Sequence, residues 1–152
     1  MSILSLSGFF ETLDPTQLLP EADAFLTIAV ILIIISLLIG PVLLLLAGLK
    51  YLKAPSPLPN YKTGFRTYFG MGSKGAWDYT QRLAGLIWSI LGAVLSVAMI
   101  VVCLIFISMN AAQIAYTALI CMIVQAALAI LSWAVITILV TVNYDKNGQL
   151  RK

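Results

Sequence analysis

The chain has 152 residues, 61% of them hydrophobic and 10% charged, with a net charge of +3, and its mean hydropathy is +1.03. A soluble domain has about 45–50% apolar and about 25% charged residues, and so short a chain has too little interior to bury the excess, so a water-soluble fold is excluded. With no His and two Cys, imidazole chemistry, a His-based metal site or pH switch and a disulfide framework are excluded too.

Residues 1–22 are expected outside the membrane. The first 23 residues hold Glu11, Asp14, Glu21 and Asp23 and no basic residue. Leu4, Leu6, Phe9, Phe10 and Leu13 fit a short helix on the membrane surface, and fit a flexible tail equally well. A signal peptide is not expected, because the basic n-region is missing and the first apolar run is too long.

From Ala24 to Leu49 no residue is charged, a run of 26. About 20 residues suffice to cross a bilayer, so a first transmembrane helix is placed at 23–51. The run is about 39 Å long at 1.5 Å per residue, more than the roughly 30 Å hydrocarbon core, so tilt or a kink must absorb the excess. Pro41, after Gly40, lacks an N–H and crowds the carbonyl of Leu37, which places a kink there. Such a kink is a structural feature or a functional hinge.

Residues 52–73 form a loop. Pro55, Pro57 and Pro59 favour a stiff, extended start. The stretch Asn60–Trp77 that follows is rich in Gly, aromatic and basic residues. An interfacial belt would explain Tyr, Trp, Lys and Arg, but not the glycines. A structured loop is therefore expected.

From Leu83 to Tyr144 there is again no charge, over 62 residues. That is too long for one span and long enough for two. The break falls at Ser108-Met109-Asn110, with Gln113 just beyond. The second helix is placed at 74–108, the third at 111–143 and a tail at 144–152. The fold class is thus an all-α integral membrane protein with three transmembrane helices. Six basic residues lie between Lys50 and Arg82 and three follow Asn143, whereas the N-terminal segment and the 108–113 turn have none. The positive-inside rule then places the N-terminus outside, and the 52–73 loop and the C-terminus in the cytoplasm.

The second helix has Asp78, Arg82, Gly85, Ser89, Gly92, Ser96, Met99 and Cys103 in one stripe, and the third has Ala111, Ala115, Ala118, Met122, Gln125, Ala129 and Ser132. Small stripes mark close helix contacts in membranes. With a turn centred near Asn110, Ser96 faces Gln125 and Ser89 faces Ser132. The expectation is a tight hairpin stitched by these polar residues, with Gly85 and Gly92 on its contact. A polar pore or ligand site using Gln125 is the alternative. Cys103 and Cys121 fall out of level, so two free thiols are expected.

No His/Cys/Asp/Glu group has metal-ligand spacing, and Gly64–Gly75 lacks the order of a phosphate-binding loop. Asp78 and Arg82, at i and i+4, fit a structural ion pair better than a catalytic one. No enzyme activity, catalytic residue, cofactor, metal or nucleic-acid partner is expected.

Asn60, Gly64-Phe65-Arg66-Thr67, Ser73, Trp77 and Thr80-Gln81-Arg82-Leu83-Ala84-Gly85 resemble the signature of the SdpI family of small bacterial membrane proteins. Tyr68 stands where that family usually has Pro, Gln81 where it has Asn or His, and Lys74-Gly75 where it has an acidic pair. The resemblance implies a multi-pass protein of the bacterial plasma membrane. Its functions would be immunity to a membrane-active toxic peptide and signalling through a captured partner. The motif and binding candidates are Asn60, Gly64, Phe65, Arg66, Thr67, Ser73, Trp77, Asp78, Gln81, Arg82 and Gly85.

Read without the family, Gly64 permits a positive φ or a close backbone approach. Arg66 offers a planar fork, and Trp77 suits the membrane interface. The run is either an architectural cap, with Arg66 bonded to Asp78 or loop carbonyls, or a contact for a ligand or partner. The expected partners are membrane lipids and either a toxic peptide or a protein, with a homo-oligomer left open. A structural or accessory subunit of a larger membrane complex is the alternative function.

Orientation is tested by thiol labelling in intact cells. A Cys at residue 5 is expected to react with an impermeant reagent from outside, and a Cys at residue 150 to stay protected. Reversed labelling would place the loop on the other side.

Overall fold

A computed structural model describes residues 22–54 and 64–151 of the chain. The expected surface helix of the N-terminal segment, the proline-rich start of the loop and Asn60 lie outside the described residues. Helix α1 spans Ala22–Lys53, α2 spans Lys74–Ile105, and α3 spans Ala111–Asn143. All three are long and apolar enough to cross a membrane. Among the described residues no β-sheet forms; one bridge pairs Tyr144 with Leu150.

The helix ends follow from local chemistry. The Ser73 hydroxyl caps α2 by accepting from the Ala76 N–H at 3.1 Å. A short 3-10 turn, Phe106–Ser108, closes that helix. Asn110 and Gln113 form a reciprocal capping box at the start of α3, with bonds of 2.9 and 3.1 Å. The polar break in the long apolar run is therefore a helix start, since these side chains replace missing backbone partners.

The closest packing joins α1 to α2. A Cβ added to Gly48 would stand 2.8 Å from Ser89 Cα, and one at Gly92 would stand 2.7 Å from Leu45 Cα. One at Gly85 would stand 3.0 Å from the Leu52 N. Leu45, Gly48 and Leu52 ascend as Gly92, Ser89 and Gly85 descend, so the helices are antiparallel with backbones nearly touching. Missing side chains allow this approach, and dispersion between backbones holds it.

The expected α2–α3 hairpin is corrected accordingly: Gly85 and Gly92 pack on α1. A small stripe marks a close contact without naming the partner helix, and the matching Gly48 is on α1. The Ser89 hydroxyl bonds back to the Gly85 carbonyl, and that of Ser96 donates to the Gly92 carbonyl at 2.7 Å. Such bonds within a helix leave hydroxyls little need for a partner across the bundle. Ser132 receives the Trp88 Nε1–H at 3.1 Å, so a ring from α2 replaces the expected Ser89.

Gln125 does not reach Ser96. Its Nε2 donates to the Leu37 carbonyl at 3.2 Å. That carbonyl is the one Pro41, four residues on, cannot serve. Gly40 leaves the space: a Cβ there would stand 3.1 Å from Gln125 Oε1. The amide of α3 thus repairs the proline break of α1, at a depth where hydrocarbon offers no partner.

Away from the loop, Leu37, Met99, Phe106, Ile114 and Ala118 form one core cluster. Towards it, Phe65, Ala84, Ile136 and Val140 form another. Cys103 and Cys121 are free thiols. Outward residues such as Leu43, Ile90, Val97 and Ile130 are exposed apolar side chains, as a lipid-facing surface requires.

Two variants rank these contacts by thermal unfolding in detergent. Gln125→Leu is expected to lose about 1–2 kcal/mol, the scale of an interhelical bond in a membrane. Gly92→Leu should lose more, because its side chain would have to enter the Leu45 backbone. Equal or reversed losses would contradict the α1–α2 packing.

Candidate functional site

The loop closes one end of the bundle. Its described part enters at Gly64, whose φ of +107° lies where side chains are disfavoured. The Trp77 indole lies directly beneath: a Cβ on Gly64 would stand 2.7 Å from Trp77 Cζ2 and 3.0 Å from Gln81 Oε1. Only glycine meets both demands.

Gln81 is the clasp. Its Nε2 donates to the Phe65 carbonyl at 2.7 Å, and its Oε1 accepts the Phe65 N–H at 2.9 Å. One side-chain amide thereby pairs both backbone groups of Phe65, as a neighbouring strand would. Gln81 and Trp77 are fully buried. The Phe65 ring meets the Trp88 ring edge-on at 5.1 Å, and Tyr51 of α1 lies 5.7 Å from the same indole.

The next turn is tied as tightly. The Thr67 hydroxyl accepts the Gly70 N–H at 3.0 Å, and the Thr80 hydroxyl donates to the Ala76 carbonyl at 2.7 Å. A Cβ on Gly70 would collide with both hydroxyls. Phe65 and Thr67 thus point inward, while Arg66 and Tyr68 point outward, with Tyr68 75% exposed.

The C-terminal residues complete this end. The Ser73 hydroxyl donates to the Gly148 carbonyl at 2.7 Å. Asp145 Oδ1 accepts from the N–H groups of Asn147 and Gln149, at 2.9 and 2.8 Å, and Gly148 turns with φ +71°. The rings of Tyr79 and Tyr144 lie 5.4 Å apart, Asn143 Nδ2 donates to the Tyr79 hydroxyl at 3.2 Å, and the Arg151 guanidinium stands 5.9 Å from the Phe69 centroid. Residues 144–151 of the expected tail instead fold back on the cap, and the signal for this is Asn147-Gly148 after Asp145, a turn signature.

The motif residues therefore divide. Gly64, Phe65, Thr67, Ser73, Trp77 and Gln81 build the cap, and Gly85 packs on α1. Thr80, Gly70 and Gly148 belong with them. Trp77 is not an interfacial side chain, because the loop folds over it. Arg66 does not close the cap either: it is exposed and, among the described residues, forms no hydrogen bond or ion pair. Asp78 and Arg82 likewise form no ion pair, with Arg82 exposed. Exposed ion pairs yield little once side-chain entropy is counted, so spacing alone did not bring them together.

A second feature lies along the spans. Gly40, Pro41, Leu95, Met122, Gln125 and Ala129 line much of a crevice of about 260 Å³ beside the α1 break. Its lining is apolar except for the Gln125 amide.

Residues 58–142 match the profile of the SdpI/YfhL protein family. No curated protein and no solved structure matches the chain. The matched stretch holds the whole described loop, α2 and nearly all of α3.

The division of the motif is tested by stability. Gln81→Leu strands two buried backbone groups and should lose at least about 2 kcal/mol, whereas Arg66→Ala should stay within about 0.5 kcal/mol. Melting temperatures in one detergent compare them, and a larger loss for Arg66→Ala would overturn the assignment.

Proposed function

This chain belongs to the SdpI/YfhL protein family, and from that premise we propose that it is an immunity-type protein of the bacterial plasma membrane. In this reading it protects the cell against a membrane-active toxic peptide, by binding the peptide or a signalling partner and without catalysing a reaction. The observation that carries the reading is the family match over residues 58–142. The three apolar helices agree with it.

The proposed orientation puts the capped end in the cytoplasm. The charge pattern supports it: every basic residue lies between Lys50 and Arg82 or after Asn143, and the 108–113 turn has none. A toxic peptide arriving from outside then meets little soluble surface. Recognition falls to helix faces within the bilayer, and signalling falls to the outward side chains of the cap. Among these the exposed Tyr68 stands edge-on to Phe69, with centroids 5.3 Å apart, and keeps its outer face open.

Deleting the gene and challenging the cells with peptides secreted by siblings tests this reading. Sensitivity rescued by the intact gene is the expected result. Unchanged resistance, together with stoichiometric co-purification of a larger membrane protein, would replace it with the accessory-subunit function.

A further inference from the structure

Two arginines left unpaired by the fold each follow directly on one side of the clasp of the cap. The paired bonds between Phe65 and Gln81 fix those residues against one another, and Arg66 and Arg82 are the next residue on each side. Both are exposed, and neither has a hydrogen-bond or ion-pair partner among the described residues. The Phe65 ring, next in the chain to Arg66, meets Trp88, whose indole lies 5.7 Å from the Tyr51 ring of α1. Arg66 therefore sits by the end of α1, where Lys50 and Lys53 are exposed.

The register of α1 on α2 sets Leu52 against Gly85, so Lys53 and Arg82 flank the same level. Lys50, Lys53, Arg66 and Arg82 thus all lie near the level where the uncharged stretches of both helices end. Opposing charge is scarce. Asp145 is engaged with two backbone N–H groups of its own turn, which leaves the half-buried Asp78.

We propose that Arg66 and Arg82, flanked by Lys50 and Lys53, bind the phosphate of an anionic phospholipid. Guanidinium forks suit phosphate oxygens because two parallel N–H bonds match their geometry. The depth selects a lipid as the source, since headgroups lie where apolar spans end. The aromatic rings of Tyr51 and Trp88, just below the cations, suit the glycerol level of a leaflet. Anionic lipids are favoured over zwitterionic ones because four cations repel a choline or ethanolamine group.

The test uses the purified full chain in vesicles of phosphatidylcholine alone and of phosphatidylcholine mixed with phosphatidylglycerol. Phosphatidylglycerol is expected to raise the melting temperature, and added salt to reduce the rise. Arg66→Gln with Arg82→Gln should abolish the rise and leave the melting temperature in phosphatidylcholine unchanged. If that pair does not fold, Arg82→Gln alone should lower the rise while Arg82→Lys keeps most of it. Equal melting temperatures in both lipids, or a full rise in the glutamine variants, would overturn the site. A full rise from inorganic phosphate in phosphatidylcholine vesicles would overturn the lipid as its source.

Discussion

In a bundle whose solvent is largely lipid, a peptide group without a partner is the most costly local defect. Two glutamines repair the places where this chain creates one. Gln125 supplies the N–H that Pro41 withholds from the Leu37 carbonyl. Gln81 supplies both partners for Phe65, which lies outside any helix where the loop crosses the bundle end. A neutral amide suits both positions. It donates and accepts at once, and it can be buried without the desolvation penalty of a charge.

These repairs depend on the close approach of α1 and α2. Gly48, Gly85 and Gly92 bring the two backbones together, which fixes where Leu37 and the α1 terminus stand. The third helix is held by different means. Gln125 reaches α1, and Ser132 receives the Trp88 N–H. Near the cap, Asn143 and Tyr144 engage Tyr79. So α3 is joined to the tight pair by polar and aromatic links together with the aliphatic packing of Ile114, Ala118, Ile136 and Val140, and the crevice beside Pro41 lies next to the Gln125 link.

Much of this was legible in the sequence, for identifiable reasons. Charge-free runs are long-range signals, and they placed all three helices within a few residues of those observed. The Asn110–Gln113 break was visible because polar residues are rare in such a run. The stripe of Gly85, Ser89 and Gly92 was visible too, but periodicity reports a face and not the helix opposite. Pairing it with α3 followed from adjacency in the chain, whereas the preceding helix also carried a glycine in register. The loop was recognisable by composition, yet its clasp was not. Nothing about Gln81 announces a bond to Phe65, sixteen residues earlier; only the fold brings the two together.

The division of the loop into inward and outward residues has a physical origin. An extended segment points successive side chains to opposite sides. Once Gln81 holds the Phe65 backbone and Trp77 fills the space below Gly64, Phe65 and Thr67 must face the helices. Arg66 and Tyr68 then face outward whatever else they do. Spacing that reads as one motif therefore contains two layers with different constraints. The inner layer is bound by shape, since Gly64 and Gly70 have no room for a methyl group. The outer layer is bound more loosely, by the edge-on contact of Tyr68 with Phe69. Residues in that layer can change with the partner they meet without disturbing the layer beneath. A small membrane domain with little soluble surface can in this way keep one architecture and present different contacts.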